Sequence, residues 1–385
     1  MKICDLTQFY SPVSGGVKRY VQEKVHYIQE HTNDEHILIV PGERDEVVRG
    51  KSSRVYAIRS PLVSKTSRYR MLLRLNAIER ILEDEMPDVI ESGDPYQVAW
   101  KAIASGAALG VPVVGFYHSH FPEAYFRSAA KFFGKTATEA VMRAARHYVC
   151  NLYNRFERTL VPSPALGKLL GEWGVENVAN VDLGVNTQIF RLGREQNVRE
   201  ELEIPADRTL LLYVGRLASE KNTRTLFSAF ELLAEDLRFH LLAVGDGPQR
   251  SIVEKLQRET GAVTWLPYCA NSERLADLYT AADIFVHPGV QETFGLVALE
   301  SQACGTPVVG IRGSYLDRII FSNQQHWAAE NTPAALAGAI RKLPAHLTPE
   351  SRARLSQKVA QRYSWRQVFD RLFEIYRDVA PHSSR

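Results

Sequence analysis

The residues best suited to chemistry lie in the segment His287-Pro288-Gly289-Val290-Gln291-Glu292-Thr293-Phe294-Gly295-Leu296-Val297-Ala298-Leu299-Glu300-Ser301. Glu292 follows the apolar run Ile284-Phe285-Val286, and Gly295 stands where a helix opens. The N–H groups of Gly295, Leu296 and Val297 in such a first turn lack partners in their own helix and suit a phosphate or sugar oxygen. Glu300 falls more than one turn inside. On one ideal helix positions i and i+8 lie about 12 Å apart, whereas glycosidase carboxylates work at about 5–9.5 Å. A hydrolytic acid/base pair is therefore not the natural reading. Two carboxylates accepting hydroxyl hydrogen bonds from different parts of one extended ligand fit better than two solvated surface residues, because the helix is Gly-opened and its surroundings are apolar.

A second group supplies positive charge. The run Leu210-Leu211-Leu212-Tyr213-Val214 ends in Gly215, followed by Arg216 and, five positions on, Lys221 at the start of the next helix. Two cations at a strand end beside a helix N-terminus make a pocket for a diphosphate; the alternative is a pair of solvated charges. Near the chain start, Ser14-Gly15-Gly16-Val17 leads into a helix and reads equally as a phosphate loop or a tight turn. A dinucleotide fingerprint is absent: Gly15-Gly16 and Gly245-Asp246-Gly247 both lack the Gly-x-Gly-x-x-Gly spacing, and no Walker-type loop occurs. Val113-Val114-Gly115-Phe116-Tyr117 delivers His118-Ser119-His120 at another strand end. The two imidazoles point to opposite faces of an extended segment, and no third ligand of matching spacing supports a metal.

The elements that must hold these groups are short runs apolar on both faces, alternating with helix-length segments. That pattern is the mark of βαβ units and parallel sheets covered by helices on each side, an α/β chain. Helices are predicted at about 17–30, 69–85, 96–109, 222–234, 249–259, 272–281, 295–304, 333–342 and 349–379. The pattern restarts near residue 209 after the turn-rich stretch Asn180–Thr187. Two doubly wound domains follow from this: residues 1–188, joined by a terminal helix from 364–385 that must pack on something, and residues 189–363. Open α/β sheets bind ligands outside the C-terminal ends of their strands, so the site is expected in a cleft between the two.

At 385 residues the chain is long enough for two cores, and 45% hydrophobic with 24% charged residues excludes a disordered or fibrous chain. Lys+Arg 47 against Asp+Glu 44 is too even for a generic nucleic-acid binder. Cys4, Cys150, Cys269 and Cys304 have no close spacing, which argues against a Cys-x-x-Cys metal site or a disulfide framework and fits a reducing compartment. No uncharged apolar run approaches the ~18–20 residues of a membrane span. Asp5 interrupts the N-terminal apolar run too early for a signal peptide. A cytoplasmic enzyme is expected.

The stretch Glu292-Thr-Phe-Gly-Leu-Val-Ala-Leu-Glu300, followed by Ser-Gln-Ala-Cys-Gly-Thr-Pro-Val-Val, resembles the Glu-x7-Glu motif of retaining GT-B glycosyltransferases, and more narrowly glycosyltransferase family 4. The likeness runs nearly end to end, through Ser14-Gly15-Gly16, His118, Gly184-Val185-Asn186, Val214-Gly215-Arg216-Leu217 with Lys221, Gly245-Asp246-Gly247-Pro248 and Ser364-Trp365. It implies two Rossmann-like domains, the first binding acceptor and the second nucleotide sugar. It also implies that Glu300 holds ribose hydroxyls, while Glu292 and the amides of Phe294, Gly295 and Leu296 hold the transferred sugar. Arg216 and Lys221 would neutralise the diphosphate, helped by Gly15, Gly16 and the Val297 amide. His118 would contact the sugar near its reacting face, leaving His120 a spectator, and the base would lie near Tyr268. No cofactor and no divalent metal is expected, since no Asp-x-Asp occurs. The departing phosphate would take the acceptor's proton in a front-face substitution. The family's acidic residue after Gly310-Ile311-Arg312-Gly313-Ser314 is present only as Asp317, a departure at the rim of the donor pocket.

The implied reaction moves a hexose from a UDP- or GDP-sugar to a lipid or glycan hydroxyl. A non-catalytic sugar-nucleotide binding protein and a GT-B epimerase or phosphorylase are the alternatives; the intact His118, Arg216/Lys221 and Glu292/Glu300 set favours transfer. Arg49, Lys51, Arg54, Arg59, Lys65, Arg68, Arg70 and Arg74 occur between Val47 and Ile78 with no acidic residue, interleaved with Leu62, Met71, Leu72, Leu73 and Leu75. A second patch runs from Phe126-Arg127 through Lys131-Phe132-Phe133 to Lys135. Such stretches suit either an anionic membrane surface on the inner face of the cell membrane, or a solvated helix face and loop.

Overall fold

A computed structural model describes residues 1–380 except 9, 11–15, 64–68, 119–133, 195–196, 235, 237, 291, 293, 315, 317, 322–323 and 344–347. It divides into two compact units, Met1–Leu183 with Trp365–Arg385 and Gly184–Ser364, the first change falling inside the turn-rich stretch at 180–187.

In the first unit the apolar runs become β1 (Lys2–Leu6), β2 (Glu35–Gly42), β4 (Ser53–Arg59), β5 (Val89–Ser92), β6 (Val113–Phe116), β7 (Arg158–Val161) and β8 (Val178–Asn180), with β3 (Glu46–Arg49) at one edge. The sheet order is β3-β4-β2-β1-β5-β6-β7-β8. All pairings are parallel except β3 on β4. Ile3, Cys4, Ile37, Ile39, Val89, Ile90, Val114 and Phe116 are fully buried, as two-sided parallel strands require. The order reverses direction between β1 and β5, which places a crevice beyond Leu6 and Ser92. Helices α1 (Gly16–His31), α2 (Leu75–Glu85) and α3 (Gln97–Leu109) cover the sheet.

The second unit holds β9 (Thr209–Val214), β10 (Phe239–Val244), β11 (Val263–Leu266), β12 (Ile284–Val286) and β13 (Val308–Val309), all parallel in the order β11-β10-β9-β12-β13. Its reversal lies between β9 and β12, the two strands that deliver Arg216 and the Glu292 segment.

The helices differ from expectation in several places. The segment expected to be helical from 69 starts only at Leu75, because residues before it fold back on the chain: Val63 N–H donates to Tyr69 O and Met71 N–H to Pro61 O. The single helix expected over 349–379 is two, Pro349–Tyr363 and Trp365–Val379, separated by Ser364 in extended conformation. The helices Lys135–Tyr153 and Pro164–Glu172 were not expected. Their signals were present: Met142, Ala145, Val149 and Leu152 recur at helical spacing and are buried, while Ser163 caps Leu166 N–H ahead of Pro164.

The terminal helix Trp365–Val379 belongs to the first unit. It buries Trp365, Val368, Phe369, Leu372, Phe373 and Tyr376 and packs along α1. No described helix is long and apolar enough to cross a membrane.

Candidate active site

In the second unit, the β9 strand ends at Val214 and the chain turns through Gly215. The turn is held close to the one after β10: a Cβ on Gly245, at φ +145°, would come within 1.9 Å of the Gly215 carbonyl oxygen. The Gly245-Asp246-Gly247 sequence therefore serves loop-on-loop packing. Tyr213 Oη donates to Arg216 O at 2.9 Å, fixing the start of the cationic segment. The Arg216 side chain is exposed and pairs with Glu220 at 3.5 Å.

Lys221 ends a short 3-10 turn, and Asn222 follows in left-handed conformation at φ 55°, one of the few side chains that tolerates it. Asn222 Nδ2 donates to Pro288 O at 2.8 Å, stitching the Lys221 turn to the loop after β12. That stitch brings Lys221 Nζ to 2.7 Å from Glu292 Oε2. His287 Nε2 lies 3.5 Å from the same oxygen, its ring buried. Burial alone would raise the Glu292 carboxyl, but the Lys221 charge and then His287 hold it well below the usual carboxylate range. Glu292 in turn raises Lys221. The cation and carboxylate given separate tasks on sequence grounds thus form one ion pair. Sequence alone carries no direct sign of these roles for Asn222 and His287; the cue is an Asn directly after Lys221 and a His at the strand end.

Gly295 caps the helix Leu296–Ala303 at φ +91°, and a Cβ there would lie 2.2 Å from Leu316 Cδ2. Only glycine admits this backbone, which leaves the amides of Leu296 and Val297 in the unpaired first turn. Phe294 is core, its ring edge-on to Tyr363 at 5.9 Å. Glu300 is only 2% exposed, and its Oε2 accepts from Tyr279 Oη at 3.1 Å, so one carboxylate oxygen is pinned from behind. Tyr268 stands exposed just beyond β11.

In the first unit, His118 follows β6, its half-buried ring stacked on Phe116 (centroids 4.0 Å, interplanar angle 0°) and edge-on to Tyr20 at 5.1 Å. Burial, then the nearby Lys24 charge, pushes its pKa down to about 3. Gly16 opens α1 and is exposed. Gly15, His120 and Asp317 lie outside the described residues.

Beneath His118 sits a polar cluster that sequence reasoning missed. Lys24 of α1 is wholly buried, with Nζ 2.8 Å from Asp5 Oδ1 and 3.1 Å from Glu91 Oε1, and it donates to Tyr376 Oη at 2.9 Å. Three acceptors use all three ammonium hydrogens. His36 Nε2 lies 2.7 Å from Asp5 Oδ2, and Glu91 Oε2 accepts from both Tyr20 at 3.1 Å and Tyr376. Lys24 and then His36 hold Asp5 down against burial, whereas burial raises Glu91.

Three of the six described basic residues of the stretch at 47–78 are paired with carboxylates. Arg54 pairs with Glu35 at 2.6 Å and Glu85 at 2.8 Å, Arg70 with Glu43 at 2.7 Å and Arg74 with Asp45 at 2.5 Å. Acidic residues just ahead of the stretch supply two of the pairings, and Leu72 is buried. Leu62, Val63, Met71 and Leu73 stay exposed. Lys65, Arg68 and the second patch from Phe126 to Phe133 lie outside the described residues.

Two family models cover most of the chain: Glycosyltransferase Family 4 over residues 14–189 and Glycosyl transferases group 1 over residues 194–362. The D-inositol 3-phosphate glycosyltransferase of Thermomonospora curvata is 33% identical over 304 residues, 73% of this chain and 68% of the relative. The chain belongs to the family 4 (group 1) glycosyltransferases. Among the relatives of this glycosyltransferase is the GDP-mannose-dependent alpha-(1-6)-phosphatidylinositol dimannoside mannosyltransferase of Mycobacterium tuberculosis, 29% identical over 96% of this chain and 94% of its own. Solved structures agree in fold. A glycosyltransferase from Rickettsia africae superposes with TM-score 0.75 at 17% identity, covering 99% of each chain. Anabaena HepE in complex with UDP and glucose gives 0.72 at 17% identity over 98% of this chain and 100% of its own. The architecture is GT-B, and the enzyme is a nucleotide-sugar glycosyltransferase.

Proposed function

We infer that this glycosyltransferase moves mannose from GDP-mannose to a hydroxyl of a lipid-borne acceptor, with retention at the anomeric carbon and without a divalent cation. Two relatives named as GDP-mannose-dependent support that donor, one matching 96% of this chain and one, from Corynebacterium glutamicum, 83%. The UDP complex among the solved structures is too distant in sequence to argue for a base.

The observation that carries the reading is the Lys221–Glu292 ion pair at 2.7 Å, beside the open first turn of the Leu296–Ala303 helix and at the strand-order reversal of the second unit. Breaking the bond between the anomeric carbon and the phosphate oxygen leaves negative charge on the β-phosphate. Lys221, with Arg216 and the Val297 amide, stabilises that charge. Glu292, released to the sugar as phosphate engages Lys221, accepts its hydroxyls together with the amides of Phe294, Gly295 and Leu296. Glu300 takes the ribose hydroxyls, Tyr268 lies by the base, and neutral His118 contacts the sugar. The departing phosphate oxygen takes the acceptor's proton while the acceptor oxygen bonds to carbon from the same face. The lipid acceptor places the chain peripherally on a membrane, through the exposed Leu62, Val63, Met71 and Leu73.

GDP-mannose is expected to raise the melting temperature where UDP-glucose does not, since only a bound ligand stabilises the folded state. Lys221→Met should lower kcat about 100-fold or more. Undiminished turnover in that variant, stabilisation by UDP-glucose alone, loss of activity on chelation or an inverted product each overturns the corresponding part. Failure to pellet with anionic liposomes removes the membrane step.

A further inference from the structure

The terminal helix reaches His118 through one residue. Its first two buried aromatics, Trp365 and Phe369, stack on each other (5.1 Å, 12°), and both lie against Tyr20 of α1, at 6.2 and 5.7 Å. Tyr20 is completely buried and held at both ends. Its hydroxyl donates to Glu91 Oε2, the oxygen that also accepts from Tyr376 of the same terminal helix, and its ring meets the His118 imidazole edge-on at 5.1 Å. Phe116 covers one face of that imidazole, and a Cβ on Gly93 would lie 3.7 Å from His118 Cδ2. With Phe116 below and Gly93 beside it, the ring's remaining lateral support among the described residues is Tyr20.

We propose that Tyr20 is a positioning residue for His118, and that the terminal helix, through Trp365, Phe369 and Tyr376, holds Tyr20 in that position. This rests on the reading that His118 contacts the transferred sugar. An aromatic edge against an imidazole restricts ring rotation through packing, and a ring locked by its neighbours presents its nitrogens at one angle. Displacement of such a contact by about 1 Å is enough to cost on the order of 100-fold in rate. Glu91, which anchors the Tyr20 hydroxyl, is itself paired at 3.1 Å with the fully buried Lys24.

The test compares Tyr20→Leu, Tyr20→Phe and Trp365→Leu in the full chain. Tyr20→Leu removes the edge contact and should lower kcat at least about tenfold with KM for the nucleotide sugar unchanged, the split expected of a group acting only on the reacting geometry. Tyr20→Phe keeps the ring and loses only the hydroxyl bond, so kcat should stay within about threefold. Trp365→Leu should fall between the two and carries the test if Tyr20→Leu does not fold. The His118 ring nitrogen resonances should move in Tyr20→Leu and not in Tyr20→Phe. Equal kcat in Tyr20→Leu and Tyr20→Phe, or unmoved His118 resonances in Tyr20→Leu, overturns the proposal. His118→Ala is the separate control: full turnover there defeats the assignment of His118 to the sugar, while the resonance shift still decides what Tyr20 does.

Discussion

Asp94 stands just past β5, buried, its Oδ2 accepting from the Gln8 amide at 2.8 Å and its Oδ1 from the Tyr96 amide at 3.4 Å. Burial pushes its pKa up to about 6, the two backbone hydrogen bonds opposing. Between the ordinary carboxylate value and about 6 the folded chain keeps a proton that the unfolded chain has lost. Stability therefore falls as pH rises through that window, by roughly 3 kcal/mol. His118 works the other way: its depressed pKa means stability lost as pH falls below the ordinary histidine range toward about 3. Asp94→Asn should remove the first effect alone. Urea unfolding at about pH 4.5 and 7.5 should show the variant gaining on the parent at the higher pH; a pH-independent difference would refute the assignment. The Lys221–Glu292 pair behaves differently again. Glu292 is lowered and Lys221 raised, so its contribution is fully present from above the usual carboxylate range to below the usual lysine range, and it does not shape activity near neutrality.

At the scale of elements, the second unit depends on turns whose backbones nearly touch. The Gly245 turn lies against the Gly215 carbonyl, and Asn222 ties the Lys221 turn to Pro288. Gly245→Ala puts a methyl group inside van der Waals contact of immovable backbone and must open the loop that carries Arg216. A loss of about 3 kcal/mol in unfolding free energy is expected, with nucleotide-sugar affinity falling in parallel. A variant that melts and binds like the parent would show that the two turns can separate at no cost. Gly110, by contrast, ends α3 with nothing within 4 Å of a built Cβ, so a change there would be felt through its φ of +68° alone.

For the whole molecule, the terminal helix is a structural member of the first unit. Without it, Lys24 loses its third acceptor and Tyr20 and Tyr27 lose the aromatic face that covers them. Leaving a buried charge short of a partner costs about 3–5 kcal/mol, and each uncovered large apolar side chain about 1.5–3 kcal/mol. Truncation after Ser364 should therefore unfold the first unit at a markedly lower temperature while the Gly184–Ser364 unit keeps its own transition. Calorimetry checks this, and an unchanged single transition would contradict it.

The α/β architecture and the placing of the donor-side candidates near strand ends were legible because they are local. Apolar runs fix which segments are two-sided strands; Arg216, Lys221 and Glu292 lie in the loops that follow β9 and β12, and Gly295 and Glu300 at and inside the helix after β12, so spacing along the chain translates directly into position. The break at Ser364 was legible only in part, since the apolar spacing runs on through both helices and the extended residue between them changes no periodicity. What tertiary structure alone decided is who meets whom across the chain: Lys221 on Glu292, Arg54, Arg70 and Arg74 on carboxylates lying before and after them, and Lys24 on Tyr376, 352 positions away. A lysine on a helix reads as a solvated cation in any window of sequence. It is the folding of strands β1 and β5 and the terminal helix around one point that removes its water and replaces it with Asp5, Glu91 and a phenol.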